Sequence, residues 1–233
     1  MKLYAFPYAG GSASVFVRWQ KHMASFIELV PVELQGHGAL MNRPCFTRMD
    51  DLVDELYVRL FSETPAEPFA FFGHSMGSLI ALELSRRLSK AGQCRPEHLF
   101  LSGMLPPHLR VTEPGTTANM TTLQLKRKVA DLGGVSDEVL ENDEFFTLFE
   151  PILRADFEIC EYYEAPVIEN NNSAFTVFVG TDDPATDQRV EQWALYGNDL
   201  NVYYYEGGHF FIHTHWVDMI KRIHVALAAS RKQ

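Results

Sequence analysis

Phe69-Ala70-Phe71-Phe72-Gly73-His74-Ser75-Met76-Gly77 is the stretch whose reading decides the fold. Four consecutive apolar residues ended by a glycine read as a buried strand. Beyond them, Met76, Ile80, Leu84 and Leu88 recur at every fourth position, so Ser75–Ala91 reads as a helix with one apolar face. Ser75 therefore sits where a strand turns sharply into a helix. In that geometry the hydroxyl stands clear of the sheet, and the glycines on either side remove side chains that would collide there. Gly-x-Ser-x-Gly alone is a weak pattern. In a strand–turn–helix context it marks a nucleophilic serine, against the plainer reading of a Gly/Ser turn on an ordinary α/β domain.

Outward from this turn, short apolar runs at Leu3–Phe6, Glu28–Glu33, His98–Ser102, Phe175–Gly180 and Asn201–Glu206 read as further strands. Helical spacing covers Val15–Phe26, Met49–Phe61, Ala185–Tyr196 and Trp216–Ala229, and Gly92 suits a helix C-terminus. Strands alternating with helices predict a mostly parallel sheet of six strands or slightly more, with helices on both faces. About seventy residues separate Ser102 from Phe175, far beyond the usual few-residue connection. That stretch holds Leu123, Leu125, Val129 and Leu132, then Phe145, Phe146, Phe149, Leu153 and Phe157 at helical spacings, with Pro151 starting or kinking a helix. It reads as a helical lid inserted at about 104–174, over the sheet edge where open α/β sheets place ligands. The plainer alternative is extra core.

The 233 residues suffice for one sizeable core, so a single domain over 1–233 is expected. With 46% hydrophobic and 21% charged residues the composition is that of an ordinary soluble protein, and no apolar stretch approaches a membrane span. The apolar segment at residues 1–7 is too short for a signal peptide and is needed as a strand. Cys45, Cys94 and Cys160 are odd in number and scattered, which argues against a disulfide framework and for a reducing cytoplasm. The formal charge of −10 speaks against generic nucleic-acid binding. Nothing signals an oligomer, so a monomer is the default.

A serine hydroxyl needs a base, and the base an orienting acid. In the α/β-hydrolase arrangement the chain order is Ser, then Asp or Glu, then His. Asp183 follows the Phe175–Gly180 strand and His209 follows the Asn201–Glu206 strand, so both fall on loops at the edge that carries Ser75. Asp182 is the alternative acid, and one of the two aspartates is expected to do no more than cap the helix beginning near Ala185. His213 and His215 complete a His-x3-His-x-His pattern, but without an acidic or cysteine ligand they read as surface or packing residues, and neither metal nor cofactor is implied. His74 reads as structural. The oxyanion of a tetrahedral intermediate needs two donors. Met76 N–H follows the nucleophile, and the loop Pro7-Tyr8-Ala9-Gly10-Gly11-Ser12 supplies the second through Ala9 N–H. That loop lacks the Gly-x-Gly-x-x-Gly or Gly-Lys-Ser/Thr of a phosphate-binding turn.

Phe6-Pro7-Tyr8-Ala9-Gly10-Gly11-Ser12, Gly36-His37-Gly38, Phe71 to Gly77, Leu153-Arg154-Ala155-Asp156-Phe157 and Gly207-Gly208-His209-Phe210-Phe211 together resemble the type II thioesterases of nonribosomal peptide and polyketide synthases, and their relatives among medium-chain fatty-acyl thioesterases. The resemblance spans nearly the whole chain. It implies hydrolysis of acyl or aminoacyl thioesters from the phosphopantetheine arm of carrier domains, in an editing role, with Ser75, Asp183 and His209 as triad and Ala9 and Met76 as oxyanion donors. Gln35 stands where the family usually has proline, which bears on substrate preference and not on the triad. Lys126-Arg127-Lys128 and Arg86-Arg87 are candidate docking patches for an acidic carrier, or else solvated helix faces. The competing readings are a general esterase or lipase acting on small free esters, and a binding module that keeps the fold without turnover.

Overall fold

The computed structural model describes residues 1–63, 65, 67–135 and 137–230. In chain order the elements are β1 (Lys2–Phe6), a 3-10 turn Ala13–Phe16 leading into α1 (Val17–Gln20), β2 (Glu28–Pro31), α2 (Met49–Phe61), β3 (Phe69–His74), α3 (Met76–Lys90) and β4 (His98–Ser102). There follow α4 (Thr122–Leu132), α5 (Asp137–Glu141), α6 (Asp143–Tyr162), β5 (Ala174–Gly180), a 3-10 segment Gln188–Leu195, β6 (Asn198–Tyr205) and α7 (Ile212–Ser230).

The sheet has six strands in the order β2-β1-β3-β4-β5-β6, and every pairing is parallel. This is the α/β-hydrolase fold. Strand side chains alternate between two cores. Tyr4, Phe6, Phe69, Phe71, Leu99, Leu101, Val177 and Val179 face α2 and α3, packing on Leu52, Leu56, Leu79 and Ile80. Leu3, Ala5, Ala70, Phe72, Phe100 and Phe178 face the other way, onto Trp19 of α1 and Met219, Ile220, Ile223 and Leu227 of α7. Burial on both faces explains why β3 reads as an uninterrupted apolar run. The chain reverses its direction of winding between β1 and β3, so the loops that follow these two strands border the crevice where such sheets bind ligands.

The long connection between β4 and β5 is helical, as its spacing predicts. Leu125, Val129, Phe146 and Leu153 give α4 and α6 a small core of their own. A Thr121–Gln124 capping box starts α4 and Gly133 ends it in the left-handed conformation at φ 78°. Arg154 ties the insertion together by donating to the Thr117 and Met120 carbonyls at 2.8 and 2.9 Å. No described helix is long and apolar enough to cross a membrane.

Several boundaries depart from the periodicity. The helix expected over Val15–Phe26 ends at Gln20, because Ala24 N–H bonds His224 Nε2 at 3.0 Å instead of continuing the helical ladder. The stretch expected as a helix over Ala185–Tyr196 is a 3-10 segment from Gln188 capped by Asp187, whose Oδ1 accepts Arg189 N–H at 2.8 Å. Neither Asp182 nor Asp183 caps it. The last helix begins at Ile212 rather than Trp216, its first turn masked in sequence by His213, Thr214 and His215. β6 begins three residues early, at Asn198, through an irregularity that holds Asp199 at φ 47°. Pro151 does not start a helix, since α6 begins at Asp143 behind the Asn142 cap and runs through it.

Candidate active site

Ser75 occupies the turn between β3 and α3 with φ 53° and ψ −119°, a conformation costly to any residue with a Cβ. The surroundings hold it there. Its N–H donates to the Ser102 carbonyl at 2.7 Å, and its carbonyl accepts Ser78 N–H at 2.8 Å. A Cβ on Gly73 would overlap the Gly77 carbonyl, and one on Gly77 the carbonyl of Phe6, so both glycines are steric requirements. Ser78 Oγ accepts Ser102 N–H at 3.0 Å and lies within 2.9 Å of the Gly73 carbonyl, lacing β3, α3 and β4 together below the serine.

His209 Nε2 stands 2.9 Å from Ser75 Oγ across 134 residues of chain. Its Nδ1 lies 3.0 and 2.9 Å from the two carboxylate oxygens of Asp183. A carboxylate only accepts, so Nδ1 carries the hydrogen and Nε2 is left to accept from the serine hydroxyl. His209 and Asp183 are 5% and 4% exposed, which keeps water from competing for these bonds. Asp183 Oδ1 also accepts Ala185 N–H at 2.8 Å, and its carbonyl accepts Thr186 N–H, so the loop that carries the acid is fastened by the acid itself. Asp182 is exposed: its N–H donates to the Gly207 carbonyl at 3.0 Å, and among the described residues its carboxylate meets Thr181 Oγ1 alone. The residues singled out as Ser, Asp and His thus come together.

His74 is fully buried with Nδ1 2.8 Å from Ser102 Oγ, and its ring centroid is 5.3 Å from that of His209. Burial, then the neighbouring His209 and His213, hold its pKa well below the usual imidazole range. A neutral ring beneath His209 leaves room for charge to develop on His209 alone. His213 Nε2 meets Tyr8 Oη at 3.0 Å while Arg18 donates to its Nδ1 at 2.9 Å, and His215 Nε2 donates to the Glu206 carbonyl. Each of the three histidines of the His-x3-His-x-His pattern therefore has its own separate partners.

Met76 N–H is the first of α3, a position with no acceptor inside the helix. Among the described residues Ala9 N–H has no protein acceptor either. Residues 8–11 form a turn closed by Gly11 N–H to the Tyr8 carbonyl at 2.8 Å, with Gly10 at φ 77°. The two candidate oxyanion donors thus border the crevice, Met76 at the start of α3 and Ala9 in the turn after β1. Beside them opens a cavity of 250 Å³ between the lid and the sheet, lined by Tyr8, Ala9, Phe210 and, from the insertion, Val129, Phe146, Phe149, Leu153 and Phe157. Among the described residues no charged side chain lines it.

Sequence reasoning missed one buried cluster. Asp156 of α6, 1% exposed, accepts Gly10 N–H at 2.7 Å and His37 Nε2 at 2.8 Å. The signal available was the Leu153–Phe157 and Gly36–Gly38 motifs, which carry resemblance but no periodicity that would join them. The basic patches also differ from expectation. Lys126 pairs with Asp143 at 2.6 Å, Lys128 with Glu161 at 3.1 Å and Arg87 with Asp54 at 2.6 Å, while Arg86 is buried beside Glu83. Arg127 is the one member of these two runs that forms no ion pair among the described residues.

A family model described as "Thioesterase domain" matches residues 1–227. The chain is 34% identical over 218 residues to the Linear gramicidin dehydrogenase LgrE of Brevibacillus parabrevis, covering 91% of this chain and 82% of that protein. It is 31% identical over 214 residues to the human medium-chain S-acyl fatty acid synthase thioesterase, covering 91% and 80%. The crystal structure of ClbQ, from the colibactin NRPS/PKS pathway, superposes with a TM-score of 0.92 at 26% identity, covering 99% of this chain and 98% of that one. The family description and the human enzyme's name both state thioesterase chemistry. The chain belongs to the thioesterase family.

Proposed function

We propose that the protein is a type II, editing thioesterase that hydrolyses acyl and aminoacyl thioesters from the phosphopantetheine arm of carrier domains in nonribosomal peptide or polyketide assembly. The observation that carries this reading is the 2.9 Å approach of His209 Nε2 to Ser75 Oγ, next in the chain to Phe210, which with Ala9 and the aromatic rings of the insertion lines an uncharged chamber. A thioester has weak resonance stabilisation and a good leaving group, so a triad and an oxyanion hole suffice for its cleavage.

In this mechanism Ser75 Oγ attacks the thioester carbonyl as His209 Nε2 takes its proton, and Asp183 stabilises the imidazolium that forms. Ala9 and Met76 N–H groups bind the oxyanion. The carbon–sulfur bond breaks and His209 returns the proton to the departing pantetheine thiol. Water, deprotonated by His209, then attacks the acyl-serine, the ester bond to Ser75 Oγ breaks as His209 returns the proton to that oxygen, and the free acid leaves. The chamber receives the acyl chain. Its lining of Phe146, Phe149, Leu153 and Phe157 favours apolar acyl groups over charged aminoacyl ones. Three free cysteines fit a reducing cytoplasm.

The test is mass spectrometry of a panel of loaded carrier domains before and after exposure to the enzyme, set beside acyl-pantetheine and p-nitrophenyl esters. Preferential unloading of carriers bearing apolar acyl groups is expected. Equal efficiency on all three substrate types would remove the carrier-domain reading in favour of a general esterase.

A further inference from the structure

The cluster of Asp156, His37 and Gly10 lies outside the triad, yet it touches the loop that carries one oxyanion donor. Its three members come from α6, from the segment after β2 and from the turn after β1. Asp156 Oδ2 accepts both Gly10 N–H at 2.7 Å and His37 Nε2–H at 2.8 Å, and His37 Nδ1 lies 3.0 Å from the Gln35 carbonyl. A carbonyl and a carboxylate are both acceptors, so both ring nitrogens of His37 carry hydrogen and the residue is an imidazolium. His37 and Asp156 thus form a buried ion pair, with side chains 3% and 2% exposed. A buried pair of this kind is a weak source of stability. What it does is fix an orientation.

The peptide it fixes is the one between Ala9 and Gly10. In the four-residue turn Tyr8–Gly11, the positive φ of Gly10 is what a type II turn requires at its third residue. The alternative, type I, turns the central peptide over, which reverses the direction of Gly10 N–H. A carboxylate held 2.7 Å from that N–H favours one orientation through a charge-assisted bond and leaves the other without a partner. Leu153, one turn earlier on α6, packs where a Gly10 Cβ would approach its Cδ2 to 2.6 Å, so the same helix also restricts what can stand at position 10.

We propose that Asp156, oriented by the His37 imidazolium, is a positioning residue that pins the Ala9–Gly10 peptide, anchoring the turn whose preceding Tyr8–Ala9 peptide presents Ala9 N–H to the oxyanion. The proposal rests on the reading of Ala9 as a donor and of Ser75 as the nucleophile. Because α6 also supplies Phe146, Phe149 and Phe157 to the chamber, one helix both lines the cavity and holds the turn after β1.

The test compares Asp156→Ala, Asp156→Asn and the double variant His37→Leu/Asp156→Leu with wild type and Ser75→Ala, on acyl-pantetheine and by the 1H–15N signal of the Gly10 amide without substrate. Asp156→Ala is expected to lower kcat by about 10²–10³, the cost of losing an oxyanion donor, with KM little changed. Asp156→Asn keeps an oxygen acceptor, so its loss is expected to stay under about tenfold. The Gly10 amide proton, shifted downfield by the carboxylate, moves upfield in Asp156→Ala and partway in Asp156→Asn. Replacing both charged partners by leucine leaves no unpaired buried charge, so the double variant serves if the alanine variant fails to fold, and it is expected to lose kcat to the same extent. Wild-type kcat in a folded Asp156→Ala or in the double variant would overturn the proposal. So would an equal rise of KM in the Asn and Ala variants with kcat intact, which is the signature of lid packing alone. Turnover by Ser75→Ala would instead overturn the site reading beneath it, and the Gly10 amide shift tells the two apart because it needs no substrate.

Discussion

Asp183 presents both carboxylate oxygens to Nδ1 of His209, at 3.0 and 2.9 Å, while its exposed neighbour Asp182 reaches no group of the site. Two adjacent aspartates therefore have unequal parts. Asp183→Asn replaces an acceptor with a group that can donate, so the imidazole loses the tautomer in which Nε2 accepts from Ser75. A kcat loss of about 10³–10⁴ is expected on acyl-pantetheine. Asp182→Asn is expected to stay within about threefold of wild type. Steady-state kinetics of the two variants decides the matter, and the reverse ranking would transfer the role to Asp182.

The loop between α4 and α5 rests on the residue that follows the histidine. A Cβ at Gly134 would overlap the ring of Phe210, which is packed 4.8 Å from that of Tyr8, and both rings line the cavity proposed to receive the acyl chain. Gly134→Ala must displace either the loop or the ring. The expected outcome is a rise in KM of about tenfold for long acyl thioesters, with kcat for acetyl thioesters little changed. Kinetics across a series of acyl lengths checks this, and uniform behaviour along the series would place Gly134 outside the acyl path.

Buried histidines give the fold an acid limit. His98, 4% exposed, stacks on Phe100 at 4.2 Å and meets Thr176 Oγ1 at 2.8 Å. Burial lowers its pKa from 6.5 to about 4. The unfolded chain therefore takes up a proton first as pH falls below 6.5, and the native state loses stability until pH reaches about 4. A shift of this size is worth about 3 kcal/mol. His74, His213 and His224 are lowered by burial as well and add in the same direction. His37 runs the other way. Burial would lower its pKa, but the hydrogen bond and charge of Asp156, with Gln35 and Glu33, outweigh this and raise it, so its contribution is present at acid pH and fades as pH rises past its folded value. Urea unfolding at pH 7 and 4.5 is expected to show a smaller acid penalty for His98→Gln than for wild type, by about 2 kcal/mol. An identical penalty in both would remove His98 from the account.

The strands, the turn at Ser75 and the chain order of Ser, Asp and His were legible because each is a local pattern: apolar runs, a glycine-flanked turn, and loops that follow strands. Helix ends were less so. Ala24 N–H turns to the distant His224, and Asp187 rather than either earlier aspartate caps the segment before β6; neither choice leaves a mark on periodicity. The insertion could be read as helical and aromatic, but which of its faces forms the chamber depended on packing between α4 and α6. The ion pair of Asp156 with His37 joins residues 119 apart, and its bond to Gly10 spans 146. Contacts of that range between single side chains are fixed by the whole fold, so the motifs containing them could be noticed but not connected. The ion pairs of the basic runs were illegible for a related reason, since the carboxylates that meet Lys128 and Arg87 come from other elements.

The most direct test of the account is intact-mass analysis of the protein quenched during turnover of an acyl-pantetheine thioester, with Ser75→Ala run beside it. The account predicts a transient acyl adduct on the Ser75 peptide in wild type, and in Ser75→Ala neither adduct nor turnover while the fold is retained. Sustained hydrolysis by Ser75→Ala would contradict it.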